Sequence, residues 1–531
     1  MKQACNHSEV ESSGDKDPQN ESRYYYRDAI QSVFRFLGLA DLARAAVTCR
    51  SWYEDACALE PQTRHRFVVT LCTESQAEYM HPHSMLRKHI SVVRFCPWFS
   101  GEALFPHSVA MVCALLQGAG GLRELVACAR YVESDRSFSV SEMAQMFTAI
   151  AARGTLESLH VQSVSPSALC GNKQGIGSLC FAVSRCTNLH TLVLQEVYIE
   201  DEMALALGLA IASASQLVTL TLSHGSRATA KLIKVGSVHI FNGLAQNASI
   251  CNFTFEDSEF SLESAMALAN AVAQPSSALS VLRVPEAMMS GPMLAAISGG
   301  IARSRRLQVF DCSINYWSYH PDAIIGEVGA SALFEAVGQC PTLTEIDVAG
   351  HVIEAASLVP LANSLALPTS DIRVLSLCRC GIGNNHLDGL GRVLATSRAL
   401  EELQLSNNHF SGLLTNIGSF TRGLAANQSL QRLDIQGCSL SGANMFVIAH
   451  MVKAHKSMRQ LHIGNRNYIY DEEDFCPRSV LESMVDAVLH GAEMRSVCLC
   501  PQSLYKGLFT PSMSDSLAAA AAATGRTLSL E

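Results

Sequence analysis

Charge is scarce in this chain of 531 residues: only 16% are Asp, Glu, Lys or Arg, and no block of like charge occurs. The net charge of −9 lacks the basic excess that a dedicated nucleic-acid binder needs. Long apolar runs are missing too. The stretch Met203 to Ala212 is among the longest and falls short of the roughly 18 residues of a membrane-spanning helix. The polar, acidic start (residues 1–22) has no apolar stretch of signal-peptide type. These absences predict a soluble chain in the cytoplasm, with the nucleus as a second compartment, and with no membrane and no nucleic acid among its partners. The 19 cysteines then read as reduced thiols. Walker-type, G-x-S-x-G and H-E-x-x-H motifs are all absent, so no enzyme and no cofactor is expected. Lysine is also rare: nine occur against thirty arginines, and none lies between Val235 and Val452.

What the chain has in quantity is apolar residues, 48%, arranged periodically. The pattern L-x-x-L-x-L, with other apolar residues allowed, appears at Leu122-Leu125-Ala127, Leu189-Leu192-Leu194, Leu307-Phe310-Cys312 and Leu400-Leu403-Leu405, among thirteen copies from Leu122 to Leu499. A weaker copy stands at Ile90-Val93-Phe95. Successive copies begin 28 to 36 residues apart, most often 28, as from Leu279 to Leu307 or Leu430 to Met458. The centre of each copy alternates apolar and polar residues, as a short strand does. An apolar helical stretch precedes it, as in Ala330 to Val337. This pattern resembles the leucine-rich repeats of the ribonuclease-inhibitor-like subclass. The resemblance implies an α/β solenoid, a horseshoe with a parallel sheet on its concave face and helices on its convex face, over residues 89–531.

The repeat phase absorbs several residues that would otherwise invite chemistry. Asn408, Cys380 and Cys438 follow their strands at the point where an inward amide or thiol satisfies backbone groups of the turn. Cys378-x-Cys380 and Cys498-x-Cys500 share that register, so no metal site is expected. Asn247-Ala-Ser249 and Asn427-Gln-Ser429 read as glycosylation sequons, yet both sit in the helix-to-strand turn. His81, His83 and His89 form a loose cluster without partner cysteines at ligand spacing, which reads as a surface loop.

Residues 23–60 have another pattern. Ile30, Val33, Phe34 and Leu37 have the spacing of a helix face, Leu39 and Leu42 open a second helix, and Cys49, Trp52 and Tyr53 lie on a third. Val33-Phe34-Arg35-Phe36-Leu37, Leu39-Ala40-Asp41-Leu42 and Cys49-Arg50-Ser51-Trp52 together resemble an F-box. The family's opening Leu-Pro pair is replaced by Tyr25-Tyr26, and Thr48 stands where Val is usual. The resemblance implies a substrate-recognition subunit of an SCF-type cullin–RING ubiquitin ligase. Val33, Phe34, Leu37, Leu39, Leu42 and Trp52 would meet the S-phase-kinase-associated adaptor, the repeats would hold a protein substrate, and the chain would be monomeric outside that complex. Two alternatives remain: a helical cap closing the first repeat, with the solenoid as a scaffold or inhibitor free of any ligase, or a GTPase-activating repeat protein using Arg379 or Arg466. The expected organisation is a disordered tail (1–22), the F-box-like segment (23–60), a linker or N-terminal cap (61–88), then 13 to 14 repeats.

Substrate contacts are expected on the sheet face and on two long inserts. The residue between the last two apolar positions of each strand points to the concave face, which places Asp311, Asp347 and Asp434 there among small polar neighbours. Two repeats are 36 residues long, and their extra length is rich in aromatics: Tyr316, Trp317 and Tyr319 in one, Arg466, Tyr468 and Tyr470 in the other. Trp, Tyr and Arg are the usual interface hot-spot residues, and repeat insertions commonly lie on one binding rim.

Overall fold

A computed structural model describes residues 122–464, with breaks at 129–139, 163–172, 224–235, 315–324 and 411–413 and at a few single positions. It also describes four outlying strands and a few isolated residues nearby. Side-chain detail begins at residue 113. The F-box-like segment, with Val33, Phe34, Leu37, Leu39, Leu42 and Trp52, lies outside the described residues, as do both aromatic inserts.

Among the described residues, sixteen strands form one sheet, and they follow one another in chain order. They are β1 (Phe67–Leu71), β2 (Ile90–Phe95), β3 (Glu124–Cys128), β4 (Ser158–Gln162), β5 (Thr191–Gln195) and β6 (Thr219–Ser223). Next come β7 (Asn252–Glu256), β8 (Val281–Arg283), β9 (Val309–Asp311), β10 (Glu345–Asp347) and β11 (Val374–Ser376). The last are β12 (Glu402–Gln404), β13 (Arg432–Gln436), β14 (Gln460–Gly464), β15 (Ser496–Leu499) and β16 (Thr527–Leu530). Between them run α1 (Val140–Arg153), α2 (Lys173–Arg185), α3 (Asp201–Ser213), α4 (Ser237–Gln246), α5 (Leu262–Ala273) and α6 (Gly291–Ile301). The helices continue with α7 (Gly326–Gln339), α8 (Leu358–Leu365), α9 (Leu387–Thr396), α10 (Leu414–Ala426) and α11 (Gly442–Ala454). Strand β1 falls in the segment expected to be a linker or cap and pairs in parallel with β2.

All the described pairings are parallel, and from β2 onward the repeats align residue for residue: Leu375 opposite Leu403, Leu403 opposite Leu433, Leu433 opposite Leu461. The alternation of the motif becomes an alternation of burial, buried at Leu159 and Val161, half-buried at Ser158, His160 and Gln162. Each repeat adds one layer to a continuous core; Leu400, Leu403 and Leu405 have no exposed surface. Such side chains contribute about 1.5–3 kcal/mol each on burial. A sheet spaced at about 4.8 Å per strand cannot match helices that prefer to sit about 8–10 Å apart, so the stack curves with the sheet inside. Glycines narrow the helix spacing: a Cβ at Gly423 of α10 would collide with the Gly391 carbonyl of α9. Among the described residues, no helix is long and apolar enough to cross a membrane.

Candidate binding site on the sheet face

The strand exits share a construction. Two residues past the last apolar position, the backbone turns left-handed at Asp257 (φ 54), Glu286 (φ 55), Gly350 (φ 84), Arg379 (φ 56), Asn407 (φ 60) and Gly437 (φ 68). A ladder imposes this turn: Glu286 N–H donates to the Ser313 carbonyl, Gly350 to Cys378, Arg379 to Ser406 and Asn407 to Gln436. Glycine takes such a backbone freely, whereas other L-residues lose roughly 1–2 kcal/mol.

One residue further, side chains close the turn as expected. The Asn408 amide donates to the carbonyls of Leu377 (2.8 Å) and Leu405 (2.7 Å). Its Oδ1 accepts from the N–H groups of Cys380 (2.9 Å) and Ile382 (3.0 Å). Thiols do half of this work: Cys380 donates to the Val348 carbonyl and Cys438 to that of Leu405. Burial pushes both thiols above their ordinary range, which keeps them protonated donors. His351 holds this position in its own repeat, buried, with Nε2 donating to the Cys312 carbonyl at 2.7 Å.

The three predicted aspartates stand at equivalent positions, each the third residue of its strand, and each spends one oxygen locally. Oδ1 of Asp311 accepts from Ser313 N–H (2.9 Å), that of Asp347 from Ala349 N–H (2.9 Å), and that of Asp434 from Gln436 N–H (3.1 Å). Asp311 and Asp347 therefore hold the turn that follows their strands, as aspartates do where a chain leaves regular structure, while Asp434 holds the last residue of β13. Asp311 and Asp347 are brought together as register partners on β9 and β10. Asp434 is three strands from Asp347, beyond Ser376 and Gln404. In the same row, Ser376 and Cys498 are buried rather than presented to a partner.

Beside Asp311 and Asp347 lies an open cleft of about 410 Å³. Glu256, Glu286 and Asp347 line one part of it, and Cys378, Arg379, Ser406 and Asn407 line another. The acids feel one another. Burial raises the Glu256 carboxyl above its ordinary value, and the charges of Asp257, Glu286 and Asp311 add to this. Burial likewise raises Asp347, with Asp311 and Glu345 adding to it, against the opposing hydrogen bonds of Ala349 and Ser376. Like charges directly opposite across strands are destabilising. Glu256, Glu286 and Asn407 were not singled out from the sequence. A usable signal existed, since Glu286, Arg379 and Asn407 share the phase in which Gly350 and Gly437 stand. The contacts expected at Tyr316, Trp317, Tyr319, Arg466, Tyr468 and Tyr470 lie outside the described residues. Among the described residues, no group of three or more His, Cys, Asp or Glu is placed to hold a metal ion.

The Leucine Rich Repeat family model matches residues 399–420, which span β12 and the turn held by Asn408. The described residues form a leucine-rich-repeat solenoid. Ribonuclease inhibitor of Sus scrofa is 26% identical to this chain over 174 residues, covering 33% of this chain and 35% of that protein. NACHT, LRR and PYD domains-containing protein 3 of Rattus norvegicus is 30% identical over 135 residues, 25% of this chain and 13% of the relative. NACHT, LRR and PYD domains-containing protein 12 of Homo sapiens is 22% identical over 255 residues, 44% of this chain and 24% of the relative. The chain thus spans about a third or less of the length of these relatives.

Proposed function

We propose that the solenoid is a protein-binding scaffold without chemistry of its own, and that its cleft receives a basic, extended segment of a partner protein. The observation that carries this reading is the pair Glu286 and Arg379. Both keep a charged side chain on a left-handed backbone where Gly350 and Gly437 relieve the strain. Together with the crowded carboxyls of Glu256 and Asp347, this makes the cleft a place where stability is given up. Strain and electrostatic crowding held in one concave site mark a functional surface. A Lys or Arg side chain from a partner would relieve the crowding of the acids, and Arg379 would orient a carboxylate or carbonyl of the same segment. The test is fluorescence anisotropy with a labelled Lys/Arg-rich peptide and its Glu/Asp-rich counterpart, at low and high salt. Preferential binding of the basic peptide, weakened by salt and at least tenfold by combined Glu256→Gln and Asp347→Asn, supports the reading. Equal binding of both peptides rejects it.

A second reading rests on the gapless spacing from Leu39-x-Asp41-Leu42 to Cys49-x-x-Trp52. In that reading, residues 23–60 dock the S-phase-kinase-associated adaptor and a cullin, and the solenoid presents its bound partner for ubiquitin transfer. Its contribution would be proximity, with no reaction step carried by the chain itself. Pulldown of adaptor and cullin by the intact chain, but not by one lacking residues 23–60, is the expected outcome. Absence of adaptor from the intact chain's pulldown leaves the scaffold reading alone.

A further inference from the structure

Three residues before the first apolar position of a repeat, one buried side chain closes the helix onto the following strand. Asn247 does this with both ends of its amide: Nδ2 donates to the Ile211 and Ala214 carbonyls at 2.8 and 2.9 Å, and Oδ1 accepts from Ser249 and Ile250 N–H. Asn427 repeats it with the Leu394 and Ser397 carbonyls and with Ser429 and Leu430 N–H. His455 occupies the same position between α11 and β14 and is 5% exposed. Its Nδ1 stands where the amide oxygen stands, accepting from Ser457 N–H at 3.3 Å and Met458 N–H at 3.1 Å. Nε2 is buried near the Leu424 and Asn427 carbonyls, the counterparts of those that the asparagines reach, without a hydrogen bond to either.

Backbone N–H groups only donate, so Nδ1 must carry no proton while this turn is closed. An amide has no proton to gain near neutrality, whereas imidazole does. Protonated, Nδ1 would point a donor at two backbone donors in a buried place, and both would lose their partner. We propose that the turn between α11 and β14 is an acid-released latch: protonation of His455 frees β14 from α11, while the turns held by Asn247 and Asn427 stay closed.

The surroundings offer little to hold a charge on the closed ring. Among the described residues, the carbonyls of Leu424 on α10 and of Asn427 just after it lie near the ring, and the Leu430 carbonyl is taken by the Ser457 hydroxyl. The charged neighbours along its own segment, Lys453, Lys456 and Arg459, are all cations, and His450 is exposed on α11. Burial holds the imidazole below its ordinary value of 6.5, partly offset by the two carbonyls. The sign follows. The ring is neutral in the closed turn and protonates more readily once open, so the turn's stability is present above about pH 6.5 and is lost as pH falls. Strand β14 carries His462 opposite Asp434, so release would reshape that end of the sheet face.

Hydrogen exchange of the full chain, read by mass spectrometry at pH 7.5 and 5.5 and corrected for intrinsic rates, tests the latch. Peptides covering Ser457 and Met458 should open more at acid pH, approaching tenfold per pH unit between about pH 6.5 and the lower folded pKa and levelling off below it. Peptides covering Ser429 and Leu430 in the same sample should not. His455→Asn should abolish the rise, and Asn427→His should transfer it to the turn between α10 and β13. Equal behaviour of the two turns in the unmodified protein overturns the proposal, as does a rise that survives His455→Asn.

Discussion

Gly350 and Arg379 occupy the same backbone position in adjacent repeats, both left-handed, with φ of 84 and 56 degrees. The ladder demands the same turn of both, and only the glycine adopts it without strain. Arg379→Gly should therefore stabilise the solenoid by about 1 kcal/mol, read as a rise in the denaturation midpoint. The same variant should weaken the basic-segment complex if Arg379 orients that segment. A lower midpoint would show that the guanidinium supports the fold.

Asp347 is expected to trade stability against function in a pH-dependent way. Its carboxyl is raised above 3.8 in the folded state, so the folded protein holds that proton more tightly than the unfolded chain. Its stabilising contribution is therefore largest at low pH and declines as pH rises through the folded value. Asp347→Asn keeps an oxygen to accept from Ala349 N–H and removes the charge beside Asp311. The variant should melt at or above the parent temperature at pH 7, and the difference should vanish near pH 3. Clear destabilisation at pH 7 would mean that a partner cation already holds the carboxylate.

Asn408 ties two repeats through four hydrogen bonds, so its loss should be severe. Asn408→Ala leaves the buried N–H groups of Cys380 and Ile382 without acceptors. At about 1–3 kcal/mol for each such group, a loss of about 3 kcal/mol or more is expected in chemical denaturation. Cys438→Ala, which removes a weaker thiol donor, should cost visibly less. Equal losses would refute the assignment of the larger share to the backbone N–H groups.

Gly423→Ala tests the helix spacing. The added Cβ meets the Gly391 carbonyl, and backbone cannot step aside as a flexible side chain can. Helices α9 and α10 would have to separate, at a cost of about 1–3 kcal/mol. Gly418→Ala on the same helix is the control: its added Cβ would meet nothing closer than Arg422 at 3.6 Å, so a small gain is expected from helix propensity.

Much of the scaffold was legible along the chain because its cause is local. A side chain at Leu403 or Leu433 points inward through strand alternation alone, and Asn408 or Asn427 is recognisable by its distance from the nearest apolar position. The binding cleft was less legible. Asp311, Asp347 and Asp434 were visible as a polar row, but not that each spends an oxygen on its own turn. Glu256 gives no local sign of feeling the charges of Glu286 and Asp311, because the effect acts through space across three repeats.

Apolar spacing therefore suffices to set the repeat, the parallel sheet and the positions that seal each turn, since these depend on residues within one helix–strand unit. Which charges meet depends on stacking. Residues about 30 apart in the chain come to lie about 5 Å apart across neighbouring strands. Burial then makes their carboxyls harder to ionise and makes one histidine the place where a proton can open a turn.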